Sequence, residues 1–175
     1  LKNALNHYSY LSFHYQYSSS FGDKALQPVN LITIPSIFFG SSLKKGSVRL
    51  KWYFTGSLIG ELHDEKHNGE LIQVGPVGST NSGSIAGCVL YNEGFVILTG
   101  SWSLKAASLS VQLDDDAATE TPNPRWITWG YGMGSHFDNR VKSLDDNSST
   151  SPMSASFLLE YSGTTHTQTI TMLAH

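Results

Sequence analysis

Ser47-Val48-Arg49-Leu50-Lys51-Trp52-Tyr53-Phe54-Thr55 alternates without a break. Val48, Leu50, Trp52 and Phe54 fall on one side of an extended chain, and Arg49, Lys51 and Tyr53 on the other. Successive side chains of a strand point to opposite faces, so this stretch predicts a strand with one face in a core and the other in water. Downstream, Ser57–His63 runs into Asp64-Glu65-Lys66-His67-Asn68-Gly69 and then Glu70–Val74. Asn68-Gly69 suits the positive backbone angles of a tight reversal, so the reading is strand, turn, strand. Ala86–Tyr91 and Phe95–Gly100 flank Asn92-Glu93-Gly94, a three-residue link with glycine where a left-handed residue belongs. Both arms of that hairpin are nearly all apolar, which places it centrally.

A last hairpin is expected between Ser156–Tyr161 and Thr164–Leu173 across Ser162-Gly163. In its second arm Thr165, Thr167, Thr169 and Thr171 share a face, as β-branched residues do on a solvated strand. Gly75–Gly83, Asp114–Pro124 and Asp138–Ser151 are rich in breakers and small polar residues and read as loops. No helical period holds for three turns, although Leu1–Leu11 and Ser103–Leu113 leave room for a short helix. Glycine, serine, threonine and aromatics outweigh the residues that build helices. The expected fold is all-β, an antiparallel β-sandwich or jelly roll with long polar loops. Its body would be residues 31–175, preceded by an aromatic-rich arm over residues 1–30.

The 175 residues fit one domain, large enough to bury a core without staples. The chain opens Leu1-Lys2-Asn3 and closes Met172-Leu173-Ala174-His175, which raises the expectation of an ordered piece of a longer polypeptide. Charged residues are 14% and the formal net charge is −3, so no basic field favours nucleic acid. The longest apolar runs, such as Leu31–Phe39, fall far short of the roughly 20 residues that cross a bilayer as a helix. The single cysteine, Cys88, lies beside Val89 and Leu90 and reads as a buried hydrophobe.

Reactive constellations are hard to find. Ser82-Gly83-Ser84-Ile85-Ala86-Gly87 has the wrong spacing for a nucleophile elbow. His63-Asp64-Glu65-Lys66-His67 offers ligand atoms four apart, a spacing that suits a helix rather than a hairpin turn. Tested as a calcium loop from Asp64, it puts Lys66 and Gly75 where oxygen ligands are needed. Asp114-Asp115-Asp116 and Asp145-Asp146 read as solvated runs. The expectation is therefore a non-enzymatic domain with no metal and no cofactor.

Aromatic residues carry the binding readings. Trp126, Trp129 and Tyr131, set among Gly130, Gly132 and Gly134, could stack on a sugar, with the Asp114 loop as a further contact. Trp126 and Trp129 are three apart and on a strand would face opposite sides, which places at least one in the core. In the arm, Tyr8, Tyr10, Phe13, Tyr15 and Tyr17 form apolar faces that need a cover, and they read as an interface.

Several strings resemble a family of large virion structural proteins of marine tailed bacteriophages, including cyanophages. They are Leu5-Asn6-His7-Tyr8, Ile34–Ser42, Lys44–Val48, Asn68–Gln73 and Leu90–Trp102. The resemblance covers most of residues 5–102, weakens over 103–154 and returns near Thr169–His175. It implies a virion location, an assembly role and contacts with other copies and other virion proteins, with tail or baseplate the expected position. It implies no catalytic residues. The alternative classes are a carbohydrate-binding host-attachment module and a glycan hydrolase, which would need two carboxylates facing each other across a cleft.

Overall fold

A computed structural model describes residues 1–19, 22–54, 56–104, 111–114, 124–130, 140–143 and 155–166. In chain order the regular elements are helix α1 (Lys2–Tyr8) and strands β1 (Ser18–Ser19), β2 (Gly22–Asp23), β3 (Asn30–Thr33), β4 (Ser42–Leu43) and β5 (Arg49–Phe54). There follow β6 (Ser57–His63), β7 (Glu70–Gly75), β8 (Ile85–Leu90), β9 (Phe95–Leu98), β10 (Val111–Asp114), β11 (Arg140–Ser143), β12 (Ala155–Glu160) and β13 (Gly163–Thr164). Short 3-10 turns occupy Phe13–Tyr15, Ser36–Phe38 and Trp126–Thr128. The fold is all-β, with α1 its one α-helix among the described residues.

Its centre is a seven-stranded antiparallel sheet in the order β12-β5-β6-β7-β8-β9-β3. The alternation of the decisive stretch is realised fully in β5. Val48, Leu50, Trp52 and Phe54 are all fully buried, and on the other face Lys51 reaches Glu61 at 3.6 Å and Glu160 at 3.7 Å. Both expected hairpins form, β6–β7 and β8–β9, with Gly69 and Gly94 at φ +86° and +69°. In the first, the second left-handed residue is His67 at φ +56° rather than Asn68. β7, β8 and β9 are buried almost continuously because the sheet is covered on both sides at its centre.

The expected last hairpin does not form among the described residues, and 167–173 of its second arm lie outside them. β12 pairs with β5 (Phe157 opposite Trp52), and β13 crosses to β4, pairing Thr164 with Ser42. The short Ser162-Gly163 link invited a hairpin, but β5 offers β12 an apolar partner face that two residues of β13 cannot match. Of the threonine row, only Thr165 lies within the described residues.

The sheet curls until its edges approach one segment. The Trp129 carbonyl accepts from Asn30 Nδ2 on β3 at 2.6 Å, while its indole packs edge-on against Phe157 of β12, centroids 5.2 Å apart. Trp126 fills the interior at 6.4 Å from Trp52, in space left open by Gly60. A Cβ on Gly60 would come within 2.7 Å of that indole.

Candidate functional site

The N-terminal segment packs onto β8 and its flanking turns. α1 turns Leu5 and Tyr8 inward, and Ser12 caps the next turn by accepting from the His14 amide at 3.1 Å. Tyr15 is fully buried and shares its hydroxyl proton between the carbonyls of Val89 (2.5 Å) and Asn68 (3.2 Å). Tyr8 stacks on Tyr15 at 5.4 Å, donates to Glu93 Oε2 at 2.6 Å and accepts from the Asn92 amide at 2.9 Å. The Ser12 hydroxyl donates to Glu70 Oε1, whose other oxygen meets Lys66 Nζ at 2.8 Å. Burial works to raise the Glu70 carboxyl, but hydrogen bonds from Lys66 and Ser12 outweigh it and hold the group below its ordinary value.

Beside this segment lies a buried carboxylate. Asp64, 1% exposed, accepts from the amides of Gly46 (2.8 Å) and Gly69 (3.0 Å) and from the Tyr91 hydroxyl. It closes the β6–β7 turn against the chain leading into β5. Burial first, then the bonded carboxylates, push the phenols of Tyr91 and Tyr8 up, so both stay protonated. Above these rings runs a groove of about 290 Å³, rimmed by Tyr10, Lys44, Lys45, Asn92, Thr164 and His166.

These positions revise the aromatic reading. Tyr8 and Tyr15, expected to await an external cover, are covered by the chain's own sheet and turns, because their hydroxyls find backbone and carboxylate partners there. Tyr17 is half-buried, with Lys2 Nζ 5.6 Å from its ring centroid. Tyr10 and Phe13 remain open to solvent, 78% and 67% exposed. Trp126 is fully buried and donates to Gln73 Oε1 at 2.9 Å, which makes it a core residue rather than a stacking platform. Trp129 is partly buried against the core, and Tyr131 lies outside the described residues.

The histidine cluster does not converge. His63 Nε2 pairs with Glu61 at 2.8 Å, Asp64 is spent on backbone amides, and His67 lies against Gly46. Among the described residues no group of three or more His, Cys, Asp or Glu side chains is placed to hold a metal. Asp115, Asp116, Asp145 and Asp146 lie outside the described residues. Cys88 is buried as expected, and desolvation pushes its thiol up to about 12. No helix among the described residues is long and apolar enough to cross a membrane.

Sequence reading missed Gln73. It is fully buried on β7, where Oε1 accepts from Trp102 Nε1 (2.8 Å) and Trp126 Nε1 (2.9 Å) and Nε2 donates to Ser79 Oγ (3.0 Å) and Thr80 O (2.8 Å). The one signal was a polar residue inside an apolar strand, Leu71-Ile72-Gln73-Val74. Lys44 and Lys45 were also missed as rim residues, because only the fold brings them beside residues 91–92 and 164–166. No protein-family model, curated protein or solved structure matches this chain.

Proposed function

We propose that this domain is a non-enzymatic structural module of a tailed-bacteriophage virion, β-sandwich-like, joined to other copies of itself and to other virion proteins. The observation that carries the reading is a pair of neighbouring apolar side chains on the turn after β3: Ile37 is 84% exposed and Phe38 66%. Ser36–Phe38 follows β3, the strand at one end of the seven-stranded sheet. Covering each of these side chains with a partner contributes about 1.5–3 kcal/mol from apolar burial. Tyr10 and Phe13 are further exposed aromatic side chains, on the N-terminal segment.

The strings resembling marine tailed-phage virion proteins supply the class of assembly, and long multi-module chains favour tail or baseplate. In a density gradient of an infected-cell lysate, the chain is expected to co-sediment with particles. Ile37→Ser combined with Phe38→Ser is expected to reduce its incorporation while leaving the isolated domain folded. Recovery in the soluble fraction alone would overturn the reading.

A further inference from the structure

We propose that the groove between the N-terminal segment and β4 binds an acidic saccharide, a sugar ring lying against Tyr10 with its carboxylate on Lys44 and Lys45. This inference stands apart from the assembly role, which Ile37 and Phe38 carry; Tyr10 is the one residue the two share.

The groove's volume, about 290 Å³, lies near the roughly 300 Å³ at which ligand clefts begin. Its inner wall includes the rings of Tyr8 and Tyr91. Both are almost completely buried, 6% and 2% exposed, and their hydroxyl protons are already given to Glu93 and Asp64, so they close the floor of the groove and leave recognition to its rim. At the rim Tyr10 is 78% exposed and presents both a flat face and a hydroxyl. The combination of aromatic surface with convergent polar groups suits a sugar, which carries an apolar C–H face and a ring of hydroxyls. Asn92 and His166, both exposed on the rim, supply side-chain groups for those hydroxyls.

Charge selects among sugars. Lys44 and Lys45 are exposed, and neither makes an ion pair with a described residue. Lys45 Nζ is held 5.8 Å from the Tyr91 ring centroid, which keeps its ammonium over the groove. Among the described residues, the carboxylates bonded to the lining tyrosines are Asp64, on Tyr91, and Glu93, on Tyr8. Asp64 is buried with both oxygens turned to backbone amides and Tyr91, and Glu93 accepts from Tyr8. Neither of these carboxylates neutralises the exposed lysines. A free inorganic anion would use those lysines alone, whereas an acidic sugar uses Tyr10 as well.

The test titrates the whole chain with a tri-galacturonate, a neutral maltotriose and inorganic sulfate, following backbone amide shifts by NMR at low salt. The acidic trisaccharide is expected to move amides of residues 42–45, 91–92 and 164–166. Lys44→Gln with Lys45→Gln is expected to weaken it about tenfold, and Tyr10→Ala about fivefold. All three residues are solvent-exposed, so the variants should keep the melting temperature of the parent, which separates lost binding from lost folding. Higher salt should weaken the interaction. The proposal is overturned if tri-galacturonate moves nothing at roughly 10 mM, a concentration that detects even very weak binding. It is equally overturned if maltotriose binds as well, if sulfate moves the same amides with the same affinity, or if either variant leaves the affinity unchanged.

Discussion

Replacing Gln73 by methionine keeps the length of the side chain and removes every hydrogen bond it makes. Two indoles depend on it. Trp126 is fully buried, so its Nε1–H is left without a partner and without water. Trp102 is half-buried, so its Nε1–H recovers part of the loss from solvent. Ser79 is half-buried and Thr80 exposed, so their oxygens turn to water at little cost. An unsatisfied buried donor costs about 1–3 kcal/mol. Summed over one full and one partial orphan, and offset by the apolar methionine, the expected destabilisation is about 2–3 kcal/mol. For a domain of this size that lowers the melting temperature by about 4–12 °C. The assay is urea unfolding followed by tryptophan fluorescence, with Trp126→Phe and the double variant completing a cycle. Because Trp126→Phe removes the orphaned donor, the two changes should be less than additive by at least about 1 kcal/mol. A Gln73→Met variant within about 0.5 kcal/mol of the parent, or strict additivity, refutes the assignment of Gln73 as the indole anchor.

Gly69→Ala tests the docking of the N-terminal segment: at φ +86° a Cβ there is strained, and it would collide with Tyr15 Oη. Hydrogen exchange over residues 2–17 should accelerate more than exchange in β5 and β6, whereas equal acceleration would mean that the segment and sheet open as one unit. Acid should loosen the same segment. Glu70 is held below its ordinary value of 4.5, so its contribution is complete above that pH and is lost as pH falls through the lower folded-state value. Burial lowers His14 from 6.5, which also makes stability fall on acidification, beginning at higher pH. Protection of residues 2–17 is therefore expected to drop between about pH 6 and 3, and Glu70→Gln should flatten the lower part of that decline. Parallel profiles for the two proteins would remove Glu70 from the latch.

What the sequence settled by itself was local. Val48, Leu50, Trp52 and Phe54 could be assigned to the core because a period of two leaves a strand no other face to bury. The β6–β7 and β8–β9 turns were readable because few residues besides glycine tolerate φ near +86° and +69°. Tertiary structure decided everything that rests on long separations. Which strand β13 joins depended on Ser42 and Thr164 meeting across 122 positions, and no local preference encodes that choice. Tyr8 and Tyr15 carry the same apolar signal as Tyr10, yet only the first two find hydrogen-bond partners near Asn92 and Val89, so two rings became core and one became rim. Gln73 and Asp64 show the same division: composition marks them as polar, but only the fold brings the indoles of Trp102 and Trp126 to Gln73, and the Gly46 amide and Tyr91 hydroxyl to Asp64, and makes their burial favourable.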